Sequence, residues 1–217
     1  MSSLYGKQHR AMQAQFETTS LADAVDSIIV LSELTPEHEG FIATRDMFFL
    51  TTIDHRGYPT CSYKGGNPGF VKVVDSQTLA FPSYDGNGMF LSMGNITQNN
   101  KIGMLFIDFE TPHRLRLHGT ATVSKEDLLL SEYQEADLIV RMKIEEVFVN
   151  CPRYIHQYSR KETSKYVPQA DCETPLAQWK RIAPLQPVLD EATQAKAKEN
   201  GLISPEDYGE LVMKGKG

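Results

Sequence analysis

The stretch Gly86–Asn100, GNGMFLSMGNITQNN, gathers four asparagines, three glycines and a serine immediately ahead of an apolar run, Ile102 to Phe109. Residues of this kind bind without ionising. Carboxamides and hydroxyls donate and accept hydrogen bonds, and glycines let a ligand come close to the backbone. If a helix starts near Met89, then Met89, Met93 and Ile96 lie on one stripe and Ser92, Asn95 and Asn99 on the next, so one face packs and its neighbour stays polar and uncharged. The start of such a helix offers unpaired N–H groups and a positive dipole end to an anion. A second candidate is Lys64, which ends the run YPTCSYK before the glycine loop GGNPG. On its residues alone it reads as a solvated strand-end lysine. No Ser-His-Asp order, GxSxG or pair of catalytic carboxylates accompanies these groups, so no residue is assigned a catalytic role.

These side chains must be positioned by regular elements. SLADAVDSIIVLSEL reads as a helix or short amphipathic segment after a polar lead. Thr35 as N-cap, Pro36 at the first helical position and acidic residues in the first turn start a helix that runs to about Arg45. MFFLTTI and YPTCSYK, separated by DHRG, read as a hairpin; FVKVV and TLAFPS follow at short intervals. IGMLFIDF is continuously apolar, as a doubly covered strand is. RLRLHGTATVS alternates and puts Arg114, Arg116 and His118 on one side. KEDLLLSEYQEAD reads as a further helix, and LIVRMKIEEVFVN closes the regular part. From Cys151 onward the composition predicts an extended tail ending in a short helix near SPEDYGELVM.

Composition narrows the function. The 217 residues, 41% hydrophobic, suit one domain with a sizeable core. A net charge of −6 argues against a nucleic-acid footprint, which needs clustered Lys and Arg. No apolar stretch approaches the ~18 residues of a membrane span, and MSSLYGKQHR has no apolar signal region, so a cytoplasmic location is expected. Cys61, Cys151 and Cys172 form no CxxC pair, and the six histidines show no ligand spacing, so neither a disulfide framework nor a metal site is predicted.

Taken in order, FIATRDMFFLTTIDHRGYPTCSYKGGNPGFVKVVDSQTLAFP, then SMGNITQNNKIGMLFIDF, then RLRLHGTA resemble the FMN-binding split barrel of the pyridoxamine 5'-phosphate oxidase superfamily, and more closely its branch of predicted flavin-nucleotide-binding proteins. The resemblance covers Phe41 to about Ala121. It implies a mainly β fold with flanking helices, a six-stranded antiparallel split β-barrel over residues 35–151, with 152–217 as a C-terminal extension of a single domain 1–217.

It also implies FMN as cofactor, with Ser62, Tyr63, Lys64, Phe81, Pro82, Asn87, Ser92, Asn95 and Arg116 as binding residues. It further implies a homodimer with the cofactor at the subunit interface. Two departures from the oxidase are visible. The Arg-Lys pair that holds phosphate before the helix is missing, with Arg116 a candidate replacement for part of its charge. A C-terminal Arg and His that grip the substrate have no counterpart, so pyridoxamine phosphate oxidation is not implied. The expected function is a flavin-dependent oxidoreductase acting on a small molecule. The alternative is a flavin or haem carrier without turnover, for which His118 or His156 is the candidate haem ligand.

Overall fold

The computed structural model describes residues 4–217. The chain forms two compact units, Met1–Lys161 and Glu162–Gly217. In the first, three helices, α1 (Lys7–Gln15), α2 (Thr19–Ile29) and α3 (Pro36–Ala43), precede the sheet. The α3 start follows the sequence grammar: Thr35 Oγ1 accepts from the His38 amide at 3.3 Å, and His38 Nδ1 accepts from the Thr35 amide at 3.3 Å. At its other end Arg45 pairs with Asp108 at 2.7 Å and lies over the Phe41 ring.

Seven strands follow, where six were expected: β1 (Met47–Ile53), β2 (Pro59–Gly65), β3 (Lys72–Asp75), β4 (Thr78–Tyr84), β5 (Lys101–Asp108), β6 (His113–Ser124) and β7 (Ala136–Val149). All pairings are antiparallel, in the order β2-β1-β5-β6-β7-β4-β3. The four-residue β3, which overlaps the FVKVV run read as a strand, pairs with β4 and forms an edge. The sheet is not closed; β2 and β3 are its two ends.

The sheet nevertheless curls around its own side chains. Phe48 on β1 meets Phe81 on β4 at 4.9 Å between ring centroids, although three strands separate β1 from β4 in the sheet. Phe106 lies 5.3 Å and Phe70 5.8 Å from the same ring, and Phe48, Phe81 and Phe106 have no exposed surface. Burial of one such side chain contributes roughly 1.5–3 kcal/mol. Where β6 passes β7 the ladder shifts at Gly119, and a Cβ there would lie 2.1 Å from the Lys143 carbonyl oxygen, so only glycine fits.

The helix expected over KEDLLLSEYQEAD is instead a single 3-10 turn, Leu128–Glu132. Three successive leucines cannot share one helical face, and Leu128 is 89% exposed. Asp127 caps the turn by accepting from the Leu129 amide, and Arg141 of β7 grips the same carboxylate. The arginine holds that carboxyl below its ordinary range.

The second unit is more structured than an extended tail. It holds 3-10 turns at Gln178–Arg181 and Ala183–Val188 and two helices, α5 (Glu191–Glu199) and α6 (Pro205–Met213). Asp190 caps α5 by accepting from the Thr193 amide, and Ser204 caps α6 by accepting from the Asp207 amide. Buried Gln186 donates to the carbonyls of Lys180 and Ile182. No helix among the described residues is long and apolar enough to cross a membrane.

Candidate functional site

The hairpin β1–β2 and the helix α4 (Leu91–Gln98) build the site together. On β2 the pleat sends Thr60, Ser62 and Lys64 to the core side, opposite Thr52, Leu50 and Phe48 of β1, while Cys61 and Tyr63 point the other way. On α4, Met93 and Ile96 are buried, and Ser92 and Asn95, three residues apart, face β2. Ser92 Oγ and Ser62 Oγ are 3.1 Å apart. Asn95 Nδ2 donates to Thr52 Oγ1 at 3.0 Å and to Thr60 Oγ1 at 3.1 Å, and the two threonine hydroxyls are 2.7 Å apart. Neutral polar groups thus fasten the helix to the hairpin. Thr52 and Thr60 were not singled out in the sequence; their signal was one hydroxyl on the inward side of each strand of the hairpin.

Lys64 ends this seam. The two contacts run antiparallel, Asn95 over Thr60 and then Ser92 over Ser62, so the next inward residue of β2, Lys64, leads toward the N-terminal end of α4. Lys64 is half-buried, and among the described residues no carboxylate or hydrogen-bond acceptor pairs with its ammonium. Burial lowers its pKa below the ordinary lysine value. An unpaired, partly desolvated charge costs free energy in the folded chain, and an incoming anion would offset that cost. The first turn of α4 adds donors: its N-cap, Phe90, supplies no side-chain cap, so the leading amides have no acceptor within the helix. A phosphate therefore fits the residues present, with Lys64 as its cation and the helix amides as neutral donors.

The other expected site residues are dispersed. Asn87 is exposed and its Oδ1 accepts from the Met89 amide at 3.1 Å, which shapes the loop before α4. Met89 lies outside the helix and is 67% exposed. Phe81 is in the phenylalanine core, and Pro82, beside it on the opposite face of β4, pairs with Ile139. Tyr63 and Arg116 share the outer face of the sheet, in one row that runs Tyr63, Phe49, Leu105, Arg116, Phe148. In that row Tyr63 meets the Phe49 ring edge-on, and the Arg116 guanidinium lies over Phe148 at 5.6 Å. Burial, followed by the charge of Asp46, raises the Tyr63 pKa. One strand position along, His118 Nδ1 and Glu146 Oε2 are 3.1 Å apart.

A cleft of about 660 Å³ lies at the far end of α4, between the Asp54–Gly57 turn and Thr97–Asn100. Burial opposes ionisation of Asp54, but hydrogen bonds from the Arg56 side chain and from the Tyr58 and Arg56 amides outweigh it and hold the carboxyl below its usual range. The cleft contains none of the residues of the seam. No group of three or more His, Cys, Asp or Glu residues able to hold a metal ion occurs among the described residues.

With this geometry in hand, the family described as pyridoxamine 5'-phosphate oxidase matches residues 34–163, more than half of the chain. The chain belongs to that family. The match takes in the hairpin, α4 and the whole sheet. No curated protein matches.

Among solved structures, HupZ of Group A Streptococcus is similar at 19% identity, with 58% of this chain and 99% of that chain covered and a TM-score of 0.45. HutZ, a haem storage protein of Vibrio cholerae, is similar at 20% identity, covering 54% and 94%, with a TM-score of 0.40. An FMN-binding protein of Syntrophomonas wolfei is similar at 10% identity, covering 64% and 97%, with a TM-score of 0.43. At these identities and scores the likenesses add nothing to the family match.

Proposed function

We propose that the protein binds FMN and acts as a flavin-dependent oxidoreductase on a small molecule in the cytoplasm. The observation that carries the reading is Lys64: a half-buried ammonium without a partner among the described residues, at the end of a polar seam that leads to an uncapped helix start, in a chain of this family. Lys64 and the first amides of α4 would hold the phosphate. Ser62, Ser92 and Asn95 would keep the helix in register against the hairpin, so that strand cation and helix amides converge. Flavin, when bound, supplies hydride transfer, and the protein's part is to bind, orient and shield the ring. That division of labour agrees with the lack of a nucleophile or acid–base pair in the seam.

We further propose a homodimer with the cofactor at its interface. The barrel interior is filled by side chains, so a flat ring must lie outside it. The outer row of Phe49 and Leu105, between Tyr63 and Arg116, supports this as the face that a second copy covers. Dilution should release flavin in step with dissociation to monomers, as mass action requires; a monomer that keeps stoichiometric FMN would count against the shared site. The oxidoreductase reading is tested by the visible spectrum of the purified protein before and after a nicotinamide donor. Flavin bands that bleach support turnover, bands that persist indicate a carrier, and a Soret band indicates haem.

A further inference from the structure

After β7 the chain returns to the end of the hairpin that carries Lys64. Residues 151–161 leave the ladder and run past the turn between β5 and β6, where several contacts pin them. Arg114 Nη2 donates to the Cys151 carbonyl at 2.9 Å. Gln157 Nε2 donates to the Glu110 carbonyl and the Tyr158 amide to the Phe109 carbonyl, each at 3.0 Å, and the Tyr158 ring meets Phe109 edge-on. The Arg160 amide then donates to Glu110 Oε1 at 3.2 Å, and the Arg160 guanidinium reaches Asp46 at 2.5 Å, 114 residues back in the chain.

Asp46 in turn holds the end of β2. Its carbonyl accepts from the Gly66 amide at 2.9 Å, one step beyond the Met47–Gly65 and Phe48–Lys64 pairs. Both glycines are needed there: a Cβ on Gly65 would lie 2.8 Å from the Tyr63 ring, and one on Gly66 2.4 Å from the Phe70 ring. A backbone of two glycines has little stiffness of its own, so its place depends on what it is bonded to. We infer that Arg160 is a positioning residue for Lys64, acting through Asp46 on the Gly65–Gly66 backbone. The inference rests on the reading of Lys64 as the phosphate cation, and it adds a residue from beyond the last strand that sets where the ammonium stands. The Arg160 and Asp46 side chains are 53% and 35% exposed, so solvent screens the pair and its effect is graded, a few-fold change and not loss of the site.

The test uses the full chain with Arg160→Ala, Arg160→Lys and Asp46→Asn, the last of which keeps the carbonyl that Gly66 bonds and removes only the charge. Hydrogen exchange of the Gly66 amide, read by NMR without ligand, reports the strand end directly. Affinities for FMN and riboflavin report where the cation stands. Arg160→Ala should speed Gly66 exchange about two- to fivefold while amides within β5 keep their rates, and should weaken FMN binding by a similar factor with riboflavin unchanged. Arg160→Lys should restore most of both, and Arg160→Ala should add nothing in the Asp46→Asn background. Unchanged Gly66 exchange would overturn the inference. So would an equal loss for riboflavin, which marks general loosening, or a full Arg160→Ala effect in Asp46→Asn, which would put Arg160 on the ligand itself. If the wild type shows no preference for FMN over riboflavin, the phosphate reading falls and takes the role in binding with it; a preference kept whole in Arg160→Ala removes this inference alone.

Discussion

Phe48 and Lys64 stand opposite one another in the β1–β2 ladder, on the same side of the sheet, yet they belong to different regimes. Phe48 is wholly buried among three other phenylalanine rings. Lys64, on the edge strand, is half-buried with no carboxylate partner among the described residues. Between them lies the Ser62–Ser92 and Thr52–Thr60–Asn95 seam, polar but internally paired. The comparison separates two uses of one surface. Apolar and mutually satisfied groups hold the fold, and under the proposed function the cation at the margin is the group left for binding.

Four substitutions grade that contrast by urea unfolding of the ligand-free protein. Phe48→Ala should be the most damaging, at about 3–5 kcal/mol, because it opens a cavity where four rings meet. Asn95→Ala comes next at about 1–3 kcal/mol, since it leaves buried threonine hydroxyls without their donor. Ser62→Ala should cost only about 0.5–1.5 kcal/mol, because Ser92 keeps access to solvent. If Asn95→Ala proved as mild as Ser62→Ala, the seam would not be what fastens α4.

Lys64→Met should change stability least, within about 0.5 kcal/mol near neutral pH, and in the stabilising direction. The sign follows from the lowered pKa of Lys64. The folded chain binds this proton less readily than the unfolded chain, so the penalty is fully present below the folded pKa. It fades as pH rises from there to the ordinary value of 10.5. The gap between Lys64→Met and wild type should therefore close over that alkaline window. Comparing each pH point with the variant removes the tyrosines, whose raised pKa values affect both proteins alike. A Lys64→Met variant less stable than wild type near neutral pH would mean that Lys64 has a stabilising anionic partner.

Much of the fold was legible in the sequence because periodicity and caps are local signals. Thr35, Pro36 and the alternation of RLRLHGTATVS each declare an element without help from the rest of the chain. The turn at Leu128–Glu132 was not legible, since it depends on Arg141 reaching back from a later strand. Within the candidate site, the order of Lys64 and the asparagine-rich helix was readable, and so was the polar stripe. Its meaning was not. That Ser92 and Asn95 face hydroxyls on the hairpin depends on Thr52 and Thr60, whose inward side is fixed only by strand register. Phe81 shows the same limit from the other side: an aromatic residue on a strand suits a ring contact or a core, and only the meeting of β1 with β4 puts it in the core.

The central claim, that Lys64 holds the phosphate of a flavin nucleotide, is tested most directly by titrating wild type and Lys64→Ala with FMN and with riboflavin, which has the ring and ribityl chain but no phosphate. Wild type should prefer FMN, and Lys64→Ala should lose about ten- to a hundredfold in FMN affinity, as expected for a charge-assisted contact of about 1.5–3 kcal/mol. Its riboflavin affinity should stay close to wild type, so that deleting the cation and deleting the phosphate are not additive. Equal losses for both ligands, or an undiminished preference for FMN in Lys64→Ala, would contradict the assignment.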